Sequence, residues 1–306
     1  DEKQLEDIMG NMMPGKGDYP TQKVIYPFDI KSLNMMHDNK ITKEFIEYIE
    51  KLDGNLLSGI SFTRITNMNL LIKNNDVVSN VTTNDLNMGT IPKELEKENF
   101  VKEAFDLLGG SYPKEITDLL LVVDSKNRVD TKILKALGLT NKDKISFEEV
   151  IGKEIKLIFN NEYYSKYLNM YLPNTDFEKT YNNKNNLTLK IVGIVRAKED
   201  NYLGQIATSM NSIGNMTDTS SMMSTINIGS VLYKNDLVEK VIEINKESDI
   251  VNSQKMLDYS IFTGEKLDEE QKNNTLVYLG SKDEPFMINI YPKDFESKDK
   301  IIEYLD

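Results

Sequence analysis

The chain has 306 residues, 39% hydrophobic and 28% charged, an ordinary globular balance at a length that admits one large domain or two packed lobes. Its 37 Lys and Arg stand against 49 Asp and Glu, a formal net charge of −12, which argues against a duplex nucleic-acid partner because phosphate binding needs a basic surface. The absence of cysteine excludes disulfides and thiolate sites; no stretch reaches the ~20 apolar residues of a membrane span, and Asp1–Met9 lack the basic-then-apolar order of a secretion signal. A cytosolic protein, or the soluble part of a larger one, is expected.

Residues 1–22, with Pro14, Gly15, Gly17 and Pro20, read as a loose lead-in, and Lys23–Ile30 as a short strand interrupted by Pro27. Thr42 is placed to cap a helix on which Phe45, Ile46, Ile49 and Leu52 recur at helical spacing, with Asp53-Gly54 ending it. The β-rich runs between Leu56 and Lys73 predict two strands or one bent strand, completing a strand–helix–strand unit. Val101–Leu108 reads as helix, broken by Gly109-Gly110 and Pro113. The apolar run DLLLVVD (118–124) is the pattern of a strand buried on both faces.

Further along, Thr131–Leu137 predicts a short helix stopped by Gly138, and Phe147–Ile151 a helical turn closed by Gly152. Strands are expected at Glu154–Asn160 and Leu187–Arg196, with the Tyr- and Asn-rich stretch 161–186 between them as a long hairpin or surface excursion. Residues 205–227, rich in Ser, Thr, Asn and Met, read as a mobile loop. A strand at Ile228–Tyr233 is followed by a helix capped by Asn235 or Asp236 and running through Ile244. The end reads as a strand at Phe286–Tyr291 and a helix capped by Asp294, whose apolar face is Phe295, Ile301, Ile302 and Leu305. Short strands mixed with short helices favour α+β over a doubly wound sheet.

Motifs that carry chemistry are weak. Gly10–Gly17 (GNMMPGKG) approaches a phosphate-binding loop, but charged residues precede it, Pro20 follows, and Gly17 replaces the required Ser or Thr. His37 is the only histidine, so a multi-histidine zinc site is excluded, and no nucleophile-elbow sequence accompanies it. Asp124, Asn127 and Asp130 suggest a calcium loop until Lys126 and Arg128 are counted among them; a strand-to-helix turn capped by Asp130 fits better. The pairs Glu148-Glu149 and Glu269-Glu270 sit in polar runs and read as solvated faces. Tyr163, Tyr164, Tyr167, Tyr171 and Tyr181 either form a sugar- or peptide-binding platform or brace the hairpin, the bracing role being favoured. Met210, Met216, Met222 and Met223 are a disordered loop or an adaptable apolar contact surface. These readings name no catalytic, cofactor-binding or metal-binding residue.

One resemblance emerges from the order of the segments after Phe105. DLLGGSYPKEITDLLLVVD (106–124), with Leu107, Leu108, Gly110, Pro113 and Asp118, is similar to a turn-and-strand pattern of MacB/FtsX-like permeases of ABC transporters. Leu137-Gly138-Leu139, Gly152-Lys153 before EIKLIF, LKIVGIVR (189–196) and the closing MINIYPKDFESKDKIIEYL follow in that family's order. Asp118-Leu119 stand where the family usually has Glu-Ile, and the first hundred residues match only in outline. The resemblance implies the MacB-like extracytoplasmic domain between two membrane helices. Its α+β fold would be two-lobed, with a porter-like lobe from 1–104 and 250–306 and an inserted sabre-like lobe from 105–249. It further implies a non-catalytic extracellular module of the cell membrane, without cofactor, coupled to an ABC ATPase across the membrane. Its partners would be a second permease copy, a peptide or lipid cargo, or an extracellular protein. A free-standing extracellular ligand-binding protein or surface lipoprotein is the alternative.

Overall fold

The computed structural model describes residues 41–64, 66–93, 100–124, 126–139, 144–198, 231–285 and 287–305. The Gly10–Gly17 motif, the Lys23–Ile30 strand, His37 and the Met-rich loop lie outside them. From Ile41 onward the described residues belong to one compact unit of mixed α+β architecture.

The first helix, α1 (Lys43–Ile49), begins where Thr42 accepts from the Phe45 amide and buries Ile49. Asp53 caps a following 3-10 turn, Gly54–Leu56. The Leu56–Lys73 segment then makes two strands, β1 (Leu57–Thr63) and β2 (Asn69–Asn74). They part company: β1 pairs antiparallel with β12 (Met287–Pro292) near the other end of the chain, with Ile60 opposite Ile290. The closing helix α10 (Phe295–Leu305) starts at Asp294, whose carboxylate accepts from the Ser297 amide at 2.7 Å. It packs with α1, β1 and β12 around Ile49, Leu52, Ile60, Phe62 and Ile301.

The face of α10 differs from the sequence expectation. Ile301 is buried and Tyr304 stacks on Tyr48 with ring centroids 4.7 Å apart, while Phe295, Ile302 and Leu305 are exposed. The helix is rotated so that its aromatic reaches α1, and hydrophobicity alone carried no information on that stacking partner.

The larger sheet runs in the order β3-β2-β7-β10-β6-β11-β4. Its members are β2, β3 (Val77–Val81), β4 (Met88–Ile91), β5 (Phe105–Gly110), β6 (Asp118–Val123), β7 (Glu154–Ile158), β10 (Leu187–Ala197) and β11 (Val231–Lys234). β10 is the spine: β6 runs parallel along one edge, while the other is shared by β7 and then by β5, both antiparallel. β11 is parallel to β4 and antiparallel to β6, so the sheet is mixed. β2 and β4, from the segment before residue 104, thus hydrogen-bond with strands of the 105–249 segment.

Alternation along the strands explains the layers. Leu119 and Leu121 of β6, with Leu70 and Ile72 of β2, enter one core, whereas Leu120 points to the opposite face with Val195, Leu232 and Phe105. The DLLLVV run is therefore buried on both sides, as its continuous hydrophobicity predicts. The first core is covered by α3 (Thr131–Ala136), α4 (Phe147–Val150) and α7 (Asn235–Asn245) through Ile133, Val150, Leu237, Val238, Val241 and Ile242.

The helix expected at Val101–Leu108 stops at Ala104: α2 is Phe100–Ala104, and Phe105 already belongs to β5. Tertiary pairing with β10 overrides the local helical spacing there. The turn after β5 is built by Gly110, at φ +78° with its would-be Cβ 2.1 Å from the Val192 carbonyl oxygen, and by Asp118. The Asp118 carboxylate accepts from the amides of Lys114 and Glu115 at 2.8 and 2.9 Å. Gly138 closes α3 at φ +71°, as expected of a helix stop. Capping of α7 differs from expectation: Lys234 is the N-cap and Asn235 lies inside the helix, its amide donating to Glu239.

Among the described residues a backbone bridge between Ile60 of β1 and Lys93, just past β4, ties the β1–β12 layer to the larger sheet, and side chains add further links. Tyr291 of β12 meets Phe100 edge-on at 5.5 Å within the second core. Arg64, its side chain only 8% exposed, bonds Asp283 at 2.9 Å and Glu239 of α7 at 3.3 Å.

Candidate functional site

The richest polar constellation among the described residues lies where β7 runs out. Phe159 caps a single turn, α5 (Asn160–Tyr163), which leads into the hairpin β8 (Tyr164–Tyr167) and β9 (Met170–Pro173), followed by α6 (Phe177–Tyr181). The 161–186 stretch is thus a hairpin with a helical turn at each side.

Asn160 is buried and fully engaged. Its backbone N–H donates to the Asn245 side chain at 3.0 Å, and its amide nitrogen donates to the Leu279 carbonyl at 2.9 Å and the Ser248 hydroxyl at 3.3 Å. Its amide oxygen accepts from Asn69 at 3.4 Å. Its side chain thereby joins β2, the start of α8 (Asp249–Met256) and the end of α9 (Glu269–Tyr278), and its backbone adds the end of α7. Neither α8 nor α9 was anticipated from sequence; α9 has no apolar stripe, its Leu276 in the last turn packing on the core, and its clearest sequence signal is its capping box, Asp268 with Gln271. Its Glu269 and Glu270 occupy the first turn, where carboxylates favour the helix dipole.

Asn161 stands between two clefts. Its amide oxygen accepts from the Asp249 amide at 2.9 Å. One cleft, about 370 Å³, is lined by Asn161, Lys166, Tyr171, Asp249, Asn252 and Met256, among others. The second, about 290 Å³, is lined by Glu162, Asn185, Ile244 and Asn245 on the opposite side of the turn. The first mixes amides, hydroxyls and single charges with apolar groups and is suited to hydrogen-bonding a ligand or a partner's backbone; the second is lined mainly by apolar surface.

The tyrosines divide as bracing predicts. Tyr163, Tyr164 and Tyr171 are buried with Ile250, Val251, Ile261 and Leu279; Tyr163 and Tyr164 meet edge-on at 4.9 Å, and Tyr171 bonds the Ser253 hydroxyl at 2.9 Å. Burial pushes the Tyr164 phenol far up, and also raises Tyr163, so both stay protonated. Tyr181 lies half-buried with the Lys156 ammonium over its ring, and Tyr167 is exposed.

The other sequence candidates serve the fold. The Asp124 carboxylate closes its turn on the Lys126 and Arg128 amides and pairs with the Arg128 guanidinium at 2.6 Å, while Asp130 caps α3. Glu149 accepts from the Ser146 amide in a capping box. Among the described residues no three His, Cys, Asp or Glu side chains are grouped to hold a metal ion, and no helix is long and apolar enough to cross a membrane. Asn160, Asn161, Asn245 and Ser248 escaped sequence reasoning. Their one signal is an Asn-Asn pair directly after an apolar strand, in an Asn-rich chain where that pair does not stand out.

No family model, curated protein or solved structure matches the chain.

Proposed function

We propose that the chain is the extracytoplasmic domain of a MacB/FtsX-like ABC transporter permease. In this role it contacts cargo or a partner protein and transmits ATP-driven motion, without catalysing a reaction itself. The observation that carries the reading is that the first and last described elements meet: β1 pairs with β12, and Tyr48 stacks on Tyr304. A domain hung between two membrane helices would need its entering and leaving segments near one another, and the β1–β12 pairing supports the reading to that extent. The order of motifs from Asp106 to Leu305 supports the same reading. In it, β1, β12, α1 and α10 are the porter-like layer, and the sheet with its hairpin carries the contact surface. The ATPase is a separate subunit or domain across the membrane, the permease pairs with a second copy, and the cargo is a peptide or lipid or is replaced by an extracellular protein partner.

The competing reading, a free-standing extracellular ligand-binding protein or surface lipoprotein, is favoured by the 370 Å³ cleft beside the hairpin. Expression of the complete gene product separates them. The permease reading expects apolar helices of roughly 20 residues on both sides of this segment, and retention in carbonate-washed membranes with the segment open to protease on intact cells. A cleaved signal sequence, or a lipid-attachment cysteine without flanking helices, would overturn it.

A further inference from the structure

The β8–β9 hairpin turns through Leu168 and Asn169, and Leu168 sits at φ +54°, in the left-handed region. A leucine there meets a steric penalty that glycine escapes and that asparagine tolerates. The fold gains no burial in return, because Leu168 is 79% exposed and Tyr167 beside it is 64% exposed. Register places Tyr167 and Leu172 on one face of the hairpin, opposite the face from which Tyr164 and Tyr171 enter the core. The strained apolar tip is therefore presented outward and packs on nothing among the described residues.

Charge separates this finger from the body. From Tyr163 to Thr175 the chain carries Lys166 and no Asp or Glu, although acids outnumber bases 49 to 37 overall. The Lys166 ammonium, on the Tyr171 face at the edge of the 370 Å³ cleft, is exposed and has no hydrogen-bond or ion-pair partner among the described residues.

We propose that the tip of this hairpin docks on an anionic lipid surface. Leu168 enters the acyl boundary, the Tyr167 ring lies at the headgroup level with its hydroxyl in water, and Lys166 reaches the anionic headgroups. An acidic body is repelled by such a surface, so the finger is the part that approaches. A convex apolar tip flanked by an amphipathic aromatic and a lysine suits an interface better than a protein groove. The inference stands on the isolated chain and does not depend on flanking membrane helices.

The native chain lacks cysteine, so Asn169→Cys carrying an environment-sensitive nitrobenzoxadiazole reports the tip alone. With phosphatidylcholine vesicles doped with phosphatidylglycerol, its emission should rise and shift to the blue, and the unlabelled chain should float with the vesicles. Leu168→Asn should keep or raise the thermal midpoint, since it relieves the backbone, yet lower partitioning roughly tenfold. Lys166→Glu should weaken binding at low salt, with the difference fading as salt screens it. Silence of the probe with anionic vesicles overturns the proposal and leaves a protein as the tip's occupant. Partitioning that survives Leu168→Asn unchanged also overturns it, by placing the contact elsewhere.

Discussion

Asn160→Ala is the sharpest test of the idea that one amide organises the region between the two clefts. Three groups lose a partner at once: the Leu279 carbonyl, the Ser248 hydroxyl and the Asn69 amide. A net hydrogen bond is worth about 1 kcal/mol, and a buried group left unsatisfied costs about 1–3 kcal/mol more. Ser248 and Asn69 keep other bonds, to Asn245 and to the Ile158 carbonyl, so only Leu279 is fully stranded and the sum is about 3 kcal/mol. Asn182→Ala is the control, because Asn182 is exposed and bonds only Glu178; it should stay within about 0.5 kcal/mol. Urea unfolding followed by far-ultraviolet circular dichroism gives both numbers, with an unchanged slope expected. Amide exchange should quicken first at α5 and the start of α8, since the lost bonds anchor those elements locally. A loss under about 1 kcal/mol for Asn160→Ala, no larger than the control's, refutes the reasoning.

Other substitutions probe other links. Arg64→Ala should cost about 1–2 kcal/mol, because its buried guanidinium serves two partners that are themselves partly solvated, and Arg64→Lys should not restore the loss since a lysine cannot fork between them. Burial pushes Asp124 up, but the Arg128 amide, its guanidinium and the Lys126 amide outweigh that and hold the carboxyl below its usual value. Its stabilisation is therefore present above the unfolded value of about 4 and lost as pH falls through the lower folded value; Asp124→Asn should flatten the acid limb of urea midpoints. Burial raises the Tyr291 phenol to about 12, so its stabilisation is complete below the unfolded value of about 10 and fades as pH rises through 12. Tyr291→Phe should be near neutral at pH 7 and remove that alkaline loss, read from thermal midpoints between these limits.

What was legible in sequence was local and periodic. Thr42, Asp130 and Asp294 announce their helices because a cap is a bond to an amide two or three residues away. DLLLVV announces a doubly buried strand because both faces need apolar side chains. What failed was decided by distant partners. Phe105–Leu108, the second half of the expected Val101–Leu108 helix, extends instead because β10 offers a ladder, and α10 turns its Tyr304 inward because Tyr48 waits on α1. The helix α9 has no apolar stripe to read, being held at its end by backbone carbonyls that Asn160 and Asn67 engage. The candidate site was invisible for the same reason: Asn69, Asn160, Asn245 and Ser248 are spread over 180 positions of a chain rich in asparagine, and only folding brings them together.

On the permease proposal, attachment and contact would fall on different parts of the fold, and this bears on how motion would pass through it. The first and last described elements share one small layer, β1 with β12 under α1 and α10, while the clefts and the hairpin belong to segments between them in sequence. Between them, among the described residues, stand the Ile60–Lys93 backbone bridge, a packed aromatic pair, Phe100 with Tyr291, and a charged fork at Arg64. Close-packed aromatics transmit displacement without slack, whereas a fork to two partly solvated carboxylates can exchange partners at small cost. A layer pulled by its anchors would therefore move the sheet through Tyr291 and pivot at Arg64. On this reasoning Arg64→Ala should change the response of the hairpin to a force on the ends more than it changes overall stability, whereas Tyr291→Ala should do the reverse.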